Sequence, residues 1–269
     1  MEAHRPLTPP SPISPISPTK VGLGRLAGLA LPAVLALLGV LGSGACNGNT
    51  FWRDGARDGA RDRAGGVDHV ATGPVSGRDA AEFSLVTGVT SVSVTGADLG
   101  DTLYRISTPA DSSLYPAVVD DGAHVQLHLK KSSDNGPEAV QIELNSGVRW
   151  RLRFDAGVTT NLIDMTAGRI DAVDLSAGVT RVELRLPKPA GTVTVRLGGG
   201  ANEFVVTVPA GTPAQARIGN GAGTVVIDGV SKPGVAAGTF FPADGYESTV
   251  DRYSIDLATG VSTFRLDHR

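Results

Sequence analysis

Apolar and polar residues alternate in short segments from residue 81 to the end of the chain. In one segment, Val182, Leu184 and Leu186 are separated by Glu183 and Arg185. A period of two residues is typical of β-strands that have one buried face. The same alternation recurs at Trp150, Leu152 and Phe154, at Val193, Val195 and Leu197, at Phe204, Val206 and Val208, at Tyr253, Ile255 and Leu257, and at Phe264 and Leu266. The pattern predicts an all-β domain over residues 81–269.

A recurring frame joins these segments. An apolar residue is followed three positions later by Gly, and four positions after the Gly a second apolar residue opens the next strand. The copies are Leu85, Gly88 and Val92; Leu175, Gly178 and Val182; Leu197, Gly200 and Phe204; Ile218, Gly221 and Val225; and Leu257, Gly260 and Phe264. One further copy, Phe154 and Gly157, has Asn161 where an apolar residue is expected, and Leu162 beside it indicates a local bulge.

The spacing of the frame favours one architecture. Gly157, Gly178, Gly200 and Gly221 lie 21, 22 and 21 residues apart, so each period holds two strands and two turns. A constant period is typical of a solenoid, in which each coil stacks on the previous one. We therefore predict a two-faced β-solenoid with coils of about 21–22 residues. An antiparallel sandwich is the alternative, which explains the alternation but not the period.

The stacking of coils leads to more specific expectations. Gly at the corner after the first strand indicates a positive φ angle or a close approach between coils. Pro187 and Pro209 mark a second corner. Residues Leu175, Leu197 and Ile218 occupy the same place in successive periods and are expected to stack directly. Residues 96–140 keep strands without the Gly frame, and residues 229–250 resemble an insertion between coils.

A hydrophobic segment precedes the β domain. Residues 26–42 carry no charge, Lys20 and Arg25 come before them, and the small residues 43–45 follow. This order is typical of an export signal. Counted from Val21, the segment also reaches the length of a membrane-spanning helix. We expect residues 21–45 to be a signal peptide or a helical membrane anchor, with the rest of the chain on the outer face of the cell membrane.

Cys46 follows this segment directly. Residues 41–46 resemble the lipobox of bacterial lipoproteins, in which a lipid is attached to the new N-terminal cysteine. Gly44 and Ala45 match that pattern, whereas Ser43 stands where a Leu-like residue is usual. Cys46 is therefore the candidate lipid attachment site, and an uncleaved helix with an incidental cysteine is the alternative.

Two further segments have biased composition. Residues 1–20 contain three Ser-Pro steps and are expected to form an extended, Pro-rich tail, unless translation starts near Val21. From Arg53 the chain reads RDGARDGARDRAGG. Alternating charges with repeated Gly and almost no apolar residues cannot form a core, so residues 46–80 are expected to be a flexible linker.

Overall composition narrows the classes of partner. Charged residues make up 19% of the 269 residues, Gly accounts for 35, and the formal net charge is −3. Strands and turns are favoured, and no basic excess exists for binding nucleic acid. Cys46 is the single cysteine, which excludes an internal disulfide and a metal site built from several cysteines of one chain.

The segments SAGVTRVELRLP, VRLGGGANEFVVTVPAG and IGNGAGTVVIDG resemble the family of exported bacterial proteins named "putative adhesin". Its repeat domain is similar to the "toastrack" β-solenoid of envelope-stress proteins of the LiaF type. The resemblance covers residues 150–269 well and 81–149 loosely. It implies an extracytoplasmic solenoid and no catalytic residues. Unlike LiaF-type proteins, this chain has one hydrophobic segment rather than several.

Candidate chemistry in the sequence is sparse. His124 and His128 share one strand face about 13 Å apart, which is too far for one metal ion. Asp120 with Asp121, and Asp98 with Asp101, are carboxylate pairs of the kind that bind Ca²⁺, although Asp is also common in turns. The glycines at 198–200 lack the flanking residues of a phosphate-binding loop, and those at 219–223 form a coil corner that does not continue into the Ca²⁺-binding nonapeptide pattern. We expect no catalytic, cofactor or metal site.

Three functions remain compatible with the sequence. The first is a non-catalytic, adhesin-like surface module that contacts an envelope protein or a cell-wall glycan. The second is an accessory or sensor in cell-envelope stress signalling. The third is a carbohydrate-active β-helix enzyme, which requires clustered acids on one face. The outward residues of consecutive coils show no carboxylate row, since they are mixed in kind: Glu183 and Arg185, Val205 and Thr207, Val226 and Asp228.

Overall fold

A computed structural model describes residues 67–269, which form nineteen β-strands and no helix. The strands are β1 (Val70–Pro74), β2 (Ala80–Leu85), β3 (Val89–Ala97), β4 (Thr102–Ser107), β5 (Leu114–Asp120), β6 (His124–Lys131), β7 (Ala139–Asn145), β8 (Arg149–Phe154), β9 (Val158–Asp164), β10 (Arg169–Leu175), β11 (Val179–Arg185), β12 (Thr192–Leu197), β13 (Ala201–Val208), β14 (Ala214–Ile218), β15 (Ala222–Ile227), β16 (Val230–Val235), β17 (Thr239–Phe241), β18 (Arg252–Leu257) and β19 (Val261–His268).

The N-terminal expectations fall mostly outside this region. The tail at 1–20, the hydrophobic segment at 21–45 and Cys46 lie outside the described residues. Within residues 67–269, no helix is long and apolar enough to cross a membrane. Strand β1 lies within the range 46–80 that the sequence indicated as linker, so ordered structure begins earlier in the chain than the Gly frame does.

The strands form two sheets. The ten-stranded sheet has the order β1-β4-β7-β3-β9-β11-β13-β19-β15-β16, and the nine-stranded sheet has the order β17-β14-β18-β12-β10-β8-β2-β6-β5. A strand of the nine-stranded sheet and the next strand of the ten-stranded sheet make one coil. Neighbouring coils pair in parallel: Val179 lies opposite Val158 on one side and Ala201 on the other, offsets of 21 and 22 residues. The chain is therefore a solenoid-like stack of coils.

The core lies between the two sheets. The apolar residue of each alternating pair points inward, and Leu197, Phe204, Tyr253 and Phe264 are fully buried. Inward residues of successive coils form ladders; in the nine-stranded sheet one ladder runs Leu127, Leu85, Phe154, Leu175, Leu197, Leu257 and Ile218. Continuous ladders bury apolar area along the whole stack, which is the main favourable term in folding.

The order of the coils differs from the expected one. Leu197 pairs with Leu257, and Leu257 pairs with Ile218, so the last coil of the chain (β18 and β19) lies between two earlier ones. The prediction that Ile218 stacks directly on Leu197 is therefore wrong, while the pairing of Leu175 with Leu197 is confirmed. A matching exchange occurs at the other end, where the β2–β3 coil lies inside the β6–β7 coil. All coils share the same apolar frame, so the frame does not specify which coil lies beside which.

Antiparallel strands cover both ends of the stack. Strands β1, β4 and β5 pair antiparallel at one end, and β16 and β17 do so at the other. Residues 229–250, expected as an insertion between coils, connect the β14–β15 coil to the β18–β19 coil, and their strands β16 and β17 form this end cap. Capping the ends shields the terminal ladders, which otherwise expose apolar surface and unpaired backbone groups.

The frame glycines do not share one reason for being Gly. Gly221 has a φ of +87°, but Gly178 is not among the residues with positive φ. A Cβ atom on Gly178 would lie 3.9 Å from the Gly200 carbonyl oxygen, which is an ordinary contact. The neighbouring Gly199 is different, because its Cβ atom would overlap the carbonyl of Ala177. In this corner the close approach between coils is therefore strictest at Gly199, one position before the frame glycine Gly200.

Asn161 lies in the regular stack without a bulge. It pairs in register with Val92 and Val182, and Leu162 points outward. The bulge expected from the sequence is therefore absent at this position of the described chain. Asn161 is fully buried, and neither its side-chain oxygen nor its nitrogen has a hydrogen-bond partner.

Candidate interaction surfaces

The outward residues of the two sheets form two broad polar faces. In the ten-stranded sheet, opposite charges are close together: Arg181 lies 2.8 Å from Glu203, and Arg185 lies 2.7 Å from Glu183. Arg185 also lies 3.5 Å from Asp164 on the next coil. Such exposed pairs contribute at most about 1 kcal/mol each to stability. On this face the arginines are matched by neighbouring carboxylates.

The nine-stranded sheet carries a row of alternating charges. Five residues of neighbouring coils lie in register on its outer face, in the order Arg153, Asp174, Arg196, Asp256 and Arg217. Opposite charges on neighbouring strands favour this order of the coils. If the coils stacked in sequence order, Arg196 would lie beside Arg217 and two like charges would meet. The row therefore supports the coil order that the apolar frame leaves open.

The same face has a basic end. Arg149 and Arg169 begin neighbouring strands in register, and Lys188 lies in the corner loop that precedes β12. These three cations line a cavity of about 80 Å³ together with Gly168, Ile170 and Ala190. The side chain of Arg149 is about half exposed, with a relative accessibility of 49%. The cavity is therefore open to an anionic group from solvent.

A cleft at the N-terminal end contains a strong ion pair. Arg78 donates two hydrogen bonds to Asp120, of 2.8 and 3.0 Å, and also binds the carbonyls of Pro74 and Val75. The hydrogen bond from Arg78 is the main cause that lowers the pKa of Asp120. Burial and the nearby Asp120 charge raise the pKa of Tyr104, which lines the same cleft. The N–H groups of Arg78 are used by these acceptors, so the ion pair connects the end of β1 to β5.

A cleft at the C-terminal end contains an Asp–His pair. Asp228 lies 2.8 Å from Nδ1 of His268 and also accepts a hydrogen bond from the His268 backbone N–H. These hydrogen bonds outweigh burial and lower the pKa of Asp228. Asp228 has a φ of +48° because it opens the two-residue turn between β15 and β16 with Gly229. Local sequence patterns do not reveal this pair, because forty residues separate its members. The Asp-Gly turn is the one signal of it in the sequence.

Among the residues singled out in the sequence, Asp98, Asp120 and Asp121 accept hydrogen bonds from nearby backbone N–H groups. His124 and His128 both lie on the outer face of β6, and His124 contacts Asp121 at 3.2 Å. Asp121 accepts hydrogen bonds from the backbone of Ala123 and His124, and Asp98 accepts one from Gly100. Within residues 67–269, no group of three or more His, Cys, Asp or Glu is placed to hold a metal ion.

Comparison with known proteins shows similarity in structure rather than in sequence. No family model matches the chain, and no curated protein matches it. A solved structure described as a putative cell adhesion protein from Clostridium sporogenes ATCC 15579 is similar with a TM-score of 0.55 and 16% identity, covering 74% of this chain and 98% of that one. A putative adhesin from Bacteroides fragilis NCTC 9343 aligns with a TM-score of 0.29 and 13% identity, over 73% of this chain and 96% of that one. The first similarity shows that the two proteins share a fold.

Proposed function

We propose that this chain is a non-catalytic, adhesin-like surface module, anchored to the outer face of a cell membrane and related to toastrack β-solenoids. The observation that carries the proposal is the pair of broad polar faces on a stack whose ends are capped. A capped stack leaves its two faces as its largest exposed surfaces, and extended faces of this kind are what solenoid proteins use for binding. The structural similarity to a protein described as a putative cell adhesion protein supports the same function.

The N-terminal sequence supports the anchored location. Residues 26–42 carry no charge, and Cys46 follows three small residues. A lipid on Cys46, or an uncleaved helix before it, would hold the solenoid at the membrane, and the charged linker would separate the two. An envelope protein or a cell-wall glycan is the partner within reach of such a module.

Export and anchoring are tested in intact cells. Protease added outside should degrade residues 81–269, while a cytoplasmic marker protein stays intact. Labelled palmitate should enter the wild type but not Cys46→Ser. Complete protection of the solenoid would refute the outer location, whereas a wild type that is degraded but unlabelled would make the helix the anchor.

Surface binding is tested with the full-length protein. Cells or isolated cell walls should retain it in a saturable manner and release it when unlabelled protein is added in excess. A full-length variant with Leu197→Asp, which places a charge in the buried ladder and unfolds the stack, serves as the control for nonspecific retention. Equal retention of the folded and unfolded proteins would contradict the proposal.

A further inference from the structure

We propose that the cavity between Arg149, Arg169 and Lys188 binds an anionic group of an acidic polysaccharide. The inference rests on the proposed function, because an exported module meets such polymers at the cell surface. These three residues form the cation triad. The ligand group is a carboxylate or a sulfate, each of which matches the hydrogen-bond donors of guanidinium and ammonium groups.

The pairing of the two arginines is an exception within the fold. In eight in-register pairs of the two sheets, an Arg lies opposite an Asp or Glu of opposite charge. Arg149 with Arg169 is the one in-register pair of like charge among the described strands. Like charges directly opposite one another destabilise a sheet. A bound anion would remove that repulsion.

The protein itself neutralises the cation triad only in part. The nearest carboxylate is Asp171, whose oxygen lies 3.7 Å from Nε of Arg149. Arg169 donates to the carbonyl of Gly147 at 3.3 Å, a bond that positions the guanidinium without cancelling its charge. Within residues 67–269, no carboxylate lies within 4.0 Å of Arg169 or Lys188. Two of the three cations are therefore available to an external anion.

The surroundings fit a sugar polymer. Next to the cation triad, the outer face continues across three coils with the uncharged residues Thr194, Ser254 and Gln215, which lie in register. Neighbouring strands are about 4.8 Å apart, so this polar strip extends roughly 10 Å. Its hydroxyl and amide groups can form hydrogen bonds with sugar hydroxyls. A duplex carries a charge about every 1.7 Å, whereas this chain has a formal net charge of −3 and no basic excess, so nucleic acid fits less well.

The experiment compares two double variants of the full-length protein. Arg169→Gln/Lys188→Gln removes two members of the cation triad. Arg105→Gln/Arg265→Gln removes the same charge from the outer face of the ten-stranded sheet, away from the cavity. Dissociation constants are measured for polygalacturonate, dextran sulfate, neutral dextran and duplex DNA, at low and high salt. The first two probes distinguish a carboxylate from a sulfate ligand.

We expect the first double variant to bind polygalacturonate or dextran sulfate about tenfold more weakly than the wild type, because two charge-assisted contacts are lost. The second double variant should bind as the wild type does. Binding of the wild type should weaken as salt is added, because screening reduces exposed charge interactions. Equal affinities of the two double variants, equal binding of neutral dextran, or tighter binding of DNA would each overturn the inference.

A third variant tests whether misfolding, rather than the loss of cations, explains weaker polyanion binding. Ala190 is exposed and lines the cavity, and Ala190→Glu would place a carboxylate among the cations without removing any of them. It should abolish polyanion binding and leave the melting temperature unchanged or higher. Unchanged polyanion binding by this variant would also overturn the inference.

The inference and the proposed function can fail separately. If the wild type binds polygalacturonate but no cell surface, the proposed function alone is contradicted. If cells retain the Arg169→Gln/Lys188→Gln variant, and neither the wild type nor any variant binds a polyanion, the inference alone is contradicted.

Discussion

Two buried asparagines are in opposite situations. Asn145 donates hydrogen bonds to the carbonyls of Gly100 and Thr102, at 2.8 and 2.7 Å, and so connects β7 to the loop before β4. Asn161 lies between Val92 and Val182 on neighbouring coils with its amide unpaired. A buried amide without a partner loses its hydration and gains nothing in exchange.

Replacing each asparagine by valine should therefore have opposite effects. Asn161→Val should raise the free energy of unfolding by about 1 kcal/mol, since an apolar side chain completes the ladder. Asn145→Val should lower it by roughly 1–3 kcal/mol, because two carbonyls lose their donor. Denaturant unfolding measures both values. A loss of stability in Asn161→Val would mean that the amide has a partner in solution.

The Arg78–Asp120 pair should make the N-terminal cap sensitive to acid. The Arg78 hydrogen bond lowers the pKa of Asp120. Its stabilisation is thus complete above the pKa of the unfolded carboxyl, about 4, and is lost as pH falls through the lower pKa of the folded state. Asp120→Asn should melt at a lower temperature than the wild type at pH 7, and the difference should shrink towards pH 2. Asp101→Asn, which removes an exposed carboxylate, is the control. A difference that grows on acidification would contradict this account.

At the scale of elements, the glycines at the corner between the two strands of a coil differ in how closely the neighbouring coil approaches them. The contact is ordinary at Gly178 and prohibitive at Gly199, as judged from the Cβ atom that each would acquire. Neither residue has a positive φ angle, so steric overlap alone separates them.

Alanine substitutions should reveal this difference. Gly199→Ala forces the corner away from Ala177 and should lower the free energy of unfolding by about 2 kcal/mol or more. Gly178→Ala should change it by less than about 1 kcal/mol, because its Cβ atom finds normal contact distances. Denaturant unfolding of the two variants under the same conditions provides the comparison. Similar losses at both positions would show that the repeat itself, rather than the contact, requires Gly.

At the scale of the whole molecule, the exchange of coils at the C-terminal end places the last two strands, β18 and β19, inside the stack. Strand β18 lies between β12 and β14, and it brings Arg252 opposite Thr192, sixty residues earlier in the chain. Contacts over such separations slow folding, because loop closure precedes the gain from pairing. In return, the terminal coil is held by pairing on both sides.

Engineered cysteines test the coil order directly. In a Cys46→Ser background, Thr194→Cys with Ser254→Cys should form a disulfide on oxidation, because these residues are in register on neighbouring strands. Thr194→Cys with Gln215→Cys should not, because two strand spacings, about 9.6 Å, separate them. Coils stacked in sequence order would give the reverse result. Mobility on non-reducing gels distinguishes the two forms.

The sequence by itself determined which residues are buried and what kind of stack they build. Alternation placed Leu197 and Phe204 in the core, because successive side chains of a strand point to opposite faces of the sheet. The constant period of the frame indicated coils. The break at Asn161 was visible in the sequence, but the inference of a bulge was wrong, since register is fixed by the strands on either side.

Only the tertiary structure decided which coil lies beside which. The apolar frames of the coils are nearly interchangeable, so the order depends on contacts between distant residues, such as Arg196 with Asp256 and Leu257 with Ile218. The cation triad has the same origin. Arg149, Arg169 and Lys188 lie in three separate periods of the sequence and come together because successive corners of the stack superimpose, which no local pattern records.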